Sequence, residues 1–220
     1  MPIRSKAVIF DYGNVLTEPQ NDSEIEGMAS ALDLSRAQFE KAYWRFRVAY
    51  DEAQLDPRQY WDAVGNTTAR TISDSQRSKL IELDSLSWMY PRTVISDWAS
   101  ALSRAGFPTA LLSNMPVTLR DALARCTWLP SFQHRTLSCD VKQSKPSPEI
   151  YLHCLSGLSL APSEVLFLDD REPNVQAARD LGMHALQFTT PDRLAAELER
   201  SFYIPVRLAA KVERTHEQNE

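Results

Sequence analysis

Glycine is scarce in this sequence, with six in 220 residues, and cysteine scarcer still, with three. So few glycines exclude collagen-like and flexible low-complexity chains. Three cysteines (Cys126, Cys139, Cys154) cannot all pair, and none has metal-ligand spacing. They read as buried thiols of a reducing compartment. The four histidines (His134, His153, His184, His216) form no zinc signature. No apolar run approaches the roughly 20 residues that span a bilayer. Asp11 interrupts the only apolar stretch near the start, which argues against a signal peptide and for a cytoplasmic protein. A basic excess is also missing. Lys and Arg total 24 against 29 Asp and Glu, for a net charge of −5. That argues against nucleic acid as a partner. Monomer and homodimer stay open.

What is present begins with Lys6-Ala-Val-Ile-Phe-Asp11-Tyr-Gly. A short apolar run ending on a carboxylate reads as a strand buried on both faces. Asp11 then stands at its carboxyl end, where open α/β sheets bind ligands. Gly13 is expected to let the chain turn sharply there.

From about Glu18 to Pro91 the pattern is helical. Four helices are expected, opening near Ser23, at Ser35, at Asp56-Pro57 and at Ser73. With no strand signal between them, they read as a helical insertion after the first strand. After Pro91, helix and strand alternate. Strands are expected at 108–113, 135–138, 164–170 and 184–188, and helices at 94–105, 117–126, 147–155, 174–181 and 193–200. Ser147 is the expected cap of the third of these helices. Gly106 and Gly182 are expected to close helices, and the tail from Lys211 is expected to be frayed. This order predicts an α/β fold: a doubly wound parallel sheet with an inserted four-helix cap. The core would comprise 1–17 and 92–210, the cap 18–91 and the tail 211–220.

Parallel strands would carry Asp11, Ser113 and Asp169-Asp170 to one edge, and the Lys145-Pro146 turn can approach it. Each group suits phosphoryl transfer. Asp11 attacks phosphorus and forms an aspartyl-phosphate that water cleaves. Carboxylates hold a divalent cation that offsets repulsion between anionic nucleophile and anionic ester. Lys145 adds fixed positive charge, and Ser113 donates to phosphoryl oxygens.

Four segments in order resemble the motifs of the haloacid dehalogenase (HAD) superfamily: Phe10-Asp11-Tyr-Gly-Asn-Val15, Leu111-Leu-Ser113-Asn114, Lys145-Pro-Ser-Pro-Glu-Ile-Tyr151 and Phe167-Leu-Asp169-Asp170-Arg-Glu-Pro-Asn174. The resemblance runs from Lys6 to about Arg200. It implies a Rossmann-like core, a Mg2+ cofactor and a small phosphate ester as substrate. It implies Asp11 as nucleophile, Ser113, Asn114 and Lys145 as substrate ligands, and Asp11, Asp170 and the carbonyl of Gly13 as metal ligands. Asp169 would be a further ligand or a neighbour of the ion. Most phosphatases of the superfamily carry a general acid where this chain has Gly13, a group typically worth about 10²–10⁴-fold in rate. The variant Asp-x-Gly-Asn-Val resembles a sugar-phosphate phosphatase subgroup, and labile esters such as sugar 1-phosphates would need no acid.

Two alternatives follow from the same residues. Tyr12-Gly13 is similar to the first motif of metal-free 2-haloacid dehalogenases. That group carries Ser-x-Asn in place of Asp169-Asp170, and paired carboxylates beside an anionic nucleophile call for a cation. A binding or regulatory protein that lost its chemistry through Gly13 is the other. Within the insertion, Arg45, Arg47, Tyr50, Asp51, Tyr60 and Trp61 surround the Ala53–Pro57 turn. They suit sugar stacking and phosphate contact, with Arg47 as a substrate ligand. They equally suit the interior of the cap.

Overall fold

The computed structural model describes residues 2–209. The expected tail at 211–220 lies outside them. A five-stranded parallel sheet is the frame: β2 (Ala7–Phe10), β3 (Thr109–Ser113), β4 (His134–Leu137), β5 (Val165–Asp169) and β6 (His184–Gln187), in the order β4-β3-β2-β5-β6. The central strand β2 is wholly buried, because its alternate residues feed two cores. Val8 and Phe10 pack with Trp98 and Leu102 of α6 (Thr93–Arg104) and with α7 (Val117–Leu123) and α11 (Pro191–Ser201). Ala7 and Ile9 face α9 (Pro148–Leu158) and α10 (Glu172–Asp180). Helices thus cover both faces, as the continuous apolar strand sequences require.

Val8 pairs with Thr109 on one side and Leu166 on the other. This register aligns the carboxyl ends of β2, β3 and β5, so Asp11, Ser113 and Asp169 leave the sheet at one edge. Gly106 and Gly182 both take positive φ (74° and 85°) just past helix ends, as expected.

Residues 22–87 contribute α1 (Asp22–Ala31), α2 (Arg36–Arg45), α3 (Arg47–Asp51), α4 (Pro57–Thr67) and α5 (Asp74–Ser87). Three of them open with reciprocal capping boxes, Ser35/Gln38, Asp56/Gln59 and Ser73/Gln76. They enclose their own apolar cluster around Met28, Phe39, Tyr43, Tyr60, Trp61 and Leu80. α3 is one more helix than the sequence pattern gives. It is a single turn, set off from α2 by a kink at Phe46 (φ −115°, ψ 8°), and too short to show periodicity. The two connections between insertion and sheet run side by side, with Thr17 bridged to Pro91 and Arg92 N–H donating to Leu16 C=O at 2.8 Å.

Short elements escape the sequence pattern for the same reason. β1 (Ile3–Arg4) pairs with β7 (Phe202–Tyr203), and α8 (Ser138–Val141) follows β4 directly. Ser147 does precede α9, but its hydroxyl does not cap the helix; it bonds to the side chains of Gln143 and Glu149.

Candidate active site

Asp11 follows β2 directly and is buried. One oxygen, Oδ1, accepts from Tyr12 N–H at 2.7 Å and from Lys145 Nζ at 2.8 Å. Lys145 arrives from the loop before α9, on a cis Lys145–Pro146 peptide. Its ammonium also donates to Asp169 Oδ2 at 2.6 Å and to Leu112 C=O at 3.0 Å. The ammonium thus lies within 3.0 Å of three oxygens, those of Asp11, Asp169 and Leu112. Lys145, expected at the substrate, here links the two buried carboxylates of Asp11 and Asp169.

Asp169 is fully buried and its oxygens are occupied. Oδ1 accepts from Arg171 N–H at 2.8 Å, Oδ2 from Lys145, and the Asn174 amide reaches both at 2.9 and 3.0 Å. As a direct metal ligand it is a poor fit, because its lone pairs are committed. Asp170 is half-buried, and its Oδ2 accepts from Asn14 Nδ2 at 2.9 Å. Asp11, Asp169 and Asp170 each have a carboxylate oxygen within 4.8 Å of those of the other two, with Asp169 contributing its charge beside the freer oxygens of Asp11 and Asp170.

Three acids so close perturb each other. Burial pushes Asp11 up to about 7; Lys145 pulls the other way and Asp169 adds to the rise. Asp170 is raised by burial and by Asp169. Lys145 stays above the ordinary lysine value because Asp11 and Asp169 outweigh its burial. The site is thus short of positive charge, and an oxygen-rich donor set of this kind suits a hard divalent cation.

Ser113 ends β3 and is buried. Asn114, also expected at the substrate, faces elsewhere. Its Nδ2 donates to Lys145 C=O at 3.0 Å and its Oδ1 accepts Lys145 N–H at 2.8 Å. Both ends of the amide are spent on holding the lysine loop.

Gly13 corrects another expectation. Its φ of −64° needs no glycine. The left-handed residue is Asn14 (φ 61°), a type that tolerates this conformation. Space at position 13 is tight: a Cβ there would lie 3.1 Å from Cζ3 of Trp88, so the indole would have to give by a few tenths of an ångström.

Arg47 is buried among the helices of the insertion. Its Nε binds Asp51 at 2.8 Å, and its Nη1 binds Asp84 at 3.0 Å and the Tyr43 hydroxyl. Tyr50 and Tyr60 stack nearby, with ring centroids 4.1 Å apart. Of the two readings of this cluster, these contacts fit the interior of the helical insertion: both carboxylates that Arg47 engages, Asp51 and Asp84, are buried. Four residues here were assigned no role from the sequence: Asn14, Asn174, Trp88 and Ser138. Ser138 Oγ accepts Met115 N–H at 2.9 Å and donates to Asp51 C=O at 2.6 Å, joining α3 to the Ser113 loop.

Known proteins resemble this chain in sequence and fold. Residues 5–182 match the family model of haloacid dehalogenase-like hydrolases. Bifunctional epoxide hydrolase 2 of Rattus norvegicus is 36% identical over 215 residues, which cover 89% of this chain and only 38% of that protein. Fructose-1-phosphate phosphatase YqaB of Escherichia coli (strain K12) is 26% identical over 147 residues, 65% of this chain and 70% of that one. A HAD family enzyme of Bacteroides thetaiotaomicron, solved with magnesium and inorganic phosphate, superimposes with a TM-score of 0.69 at 19% identity, covering 84% of this chain and 94% of its own. With the family model spanning most of the chain and the parallel sheet carrying its acidic edge, this protein belongs to the haloacid dehalogenase-like hydrolases.

Proposed function

We propose that the chain is a magnesium-dependent phosphatase acting on small phosphorylated metabolites, sugar phosphates foremost, through an aspartyl-phosphate on Asp11. The observation that carries this reading is the meeting of Asp11, Asp170 and Lys145 at the carboxyl edge of the sheet. Similarity to a fructose-1-phosphate phosphatase supports the substrate class. Asp11, Asp170 and the carbonyl of Gly13 are the residues that would hold the cation. When bound, it supplies positive charge that lets an anionic ester approach an anionic nucleophile.

The chain's own groups do the rest. Tyr12 N–H and Lys145 fix one oxygen of Asp11, and the other attacks phosphorus. The phosphorus–ester bond breaks, and the departing oxygen takes a proton from water. A second water cleaves the acyl phosphate, releasing inorganic phosphate and restoring Asp11. Ser113 donates its hydroxyl to a phosphoryl oxygen, and Asn114 keeps the Lys145 loop in register. With no acid at Gly13, esters with good leaving groups, such as sugar 1-phosphates, are favoured. The insertion at 18–91 covers this edge as a cap over a core of 1–17 and 92–210, in a reducing compartment that keeps the cysteines free.

The test is a screen of sugar, nucleotide and acyl phosphates with magnesium and with chelator. Magnesium-dependent phosphate release, and a fluoroberyllate adduct on Asp11, are expected. Halide release from 2-haloacids that ignores chelator would replace this reading with a dehalogenase. Failure on the whole panel together with no adduct would favour a binding protein.

A further inference from the structure

At the amino end of the edge strand β4, the far end from Asp11 and Ser113, two imidazoles share one hydroxyl. His134 Nε2 lies 3.0 Å from Thr136 Oγ1, and His153 Nδ1 of α9 lies 3.1 Å from the same oxygen. Their ring centroids are 5.8 Å apart. Thr136 is buried, His134 half-buried and His153 exposed. Gly157, one turn after His153, makes the seat: a Cβ there would run into the His134 ring. A hydroxyl has one hydrogen and two lone pairs. It can accept from one imidazole and donate to the other while at least one ring stays neutral. With both rings protonated neither nitrogen accepts, and two positive charges stand side by side. The surrounding groups do not offset them. The paired strand β3 carries no ionisable side chain. On α9, Glu149 bonds to the Ser147 hydroxyl and Tyr151 to Asn174 C=O. The thiols of Cys139 and Cys154 are pushed up to about 12 by burial and stay neutral. Asp140 of α8 pairs with Arg120, and in α10 Glu172 pairs with Arg179 and Asp180 bonds to Gln176. Arg135 stands beside Leu111 on the other face of the sheet. Burial and His153 together hold His134 below the ordinary histidine value.

We propose that His134, Thr136 and His153 form an acid-sensitive clasp between β4 and α9, intact with at most one added proton on the imidazole pair and weakened by the second. Both elements that it joins serve the acidic edge. β4 runs into Ser138, whose hydroxyl accepts Met115 N–H, and α9 opens three residues after Lys145. The inference stands apart from the phosphatase reading. Its sign follows from the depressed histidine. The folded protein resists a proton that the unfolded chain accepts, so the clasp stabilises fully above the ordinary value of 6.5 and progressively less as pH falls below it. Buried carboxylates such as Asp11 and Asp51 slope the other way, but they are common to parent and variant and drop out of a comparison between the two.

The experiment follows the histidine rings of the full chain by nuclear magnetic resonance as pH is lowered, in the parent and in His153→Gln. Hydrogen exchange of the β4 and α9 amides, corrected for its intrinsic pH dependence, is measured alongside. In the parent the pair should titrate in two steps, the second below the ordinary histidine value. In His153→Gln the remaining ring should titrate about one unit above that second step, because the neighbouring charge is gone. Exchange in β4 and α9 should speed up between about pH 7 and pH 5 in the parent and much less in His153→Gln. Thr136→Val removes the shared hydroxyl at similar volume, and its exchange at neutral pH should match that of the acidified parent. If the buried Thr136→Val variant does not fold, the exposed His153→Gln carries the test. A single titration step at the ordinary value in the parent, an unmoved His134 in His153→Gln, or equal acid-induced exchange in the two proteins would overturn the inference. None of these outcomes bears on phosphate release.

Discussion

Asn14 Nδ2 donates to Asp170 Oδ2 at 2.9 Å, across 156 residues of sequence, from a backbone held at φ 61°. The left-handed conformation aims the amide at the acid, and Arg92 Nη2 reaches the Asn14 carbonyl at 3.5 Å from behind. Groups that orient a ligand typically change metal affinity by about 10–100-fold when removed. Asn14→Gly keeps the backbone conformation and deletes the amide. It should weaken magnesium binding by about tenfold by titration calorimetry, with thermal stability of the metal-free protein nearly unchanged. Asn14→Ala should show the same loss of affinity and an added destabilisation of about 1–2 kcal/mol, because alanine resists positive φ.

Lys145 separates two buried acids that would otherwise face each other. Removing one partner of a buried ion pair commonly costs about 3–5 kcal/mol, since the remaining charge has nothing to offset it. Lys145→Ala should therefore destabilise by about that much in urea unfolding at neutral pH, besides losing turnover. Adding Asp169→Asn to Lys145→Ala should recover part of the stability and none of the turnover. Asp11→Asn, which removes a charge from an overcrowded site, should abolish turnover without a stability loss; turnover retained in that variant would exclude Asp11 as nucleophile.

The pH dependence follows from Asp11. Its pKa rises from 3.8 to about 7 on folding without metal. Between these values the folded protein keeps a proton that the unfolded chain releases, so stability falls as pH rises through the window and levels off above it. Asp51, pushed by burial up to about 6, adds to the same slope. Melting temperatures in chelator should decline from about pH 5 to about pH 7. Because the cation requires the ionised carboxylate, magnesium should stabilise the protein more at the upper end of that range than at the lower.

The core of the site was legible because its residues terminate strands. Apolar runs ending in Asp11, Ser113 and Asp169 place those groups at one edge once the sheet is parallel, whatever the details of packing. What each group binds was less legible, since that depends on side-chain direction. Asn114 follows Ser113 in sequence yet turns to the Lys145 backbone, and Asp169 and Asp170 are adjacent yet face a lysine and an asparagine. Asn14 carried a readable signal, as asparagine is among the few side chains at ease with positive φ. Trp88 carried none, because its relation to Gly13 spans 75 residues and exists only in three dimensions.

Arg47 separates a cap-packing role from a substrate role by experiment. Its guanidinium joins Asp51 at the end of α3 to Asp84 in α5, and the Tyr43 hydroxyl also donates to Asp84 at 2.6 Å. Arg47→Met keeps much of the apolar stem but strands two buried carboxylates, so a loss of about 3–5 kcal/mol is expected in urea unfolding. Asp51 also accepts Ser138 Oγ through its carbonyl, so a loosened α3 should slow turnover on every ester to a similar degree. The ratio of kcat/KM between a sugar phosphate and phenyl phosphate should stay the same. A change in that ratio, with stability preserved, would return Arg47 to the substrate side of the cap.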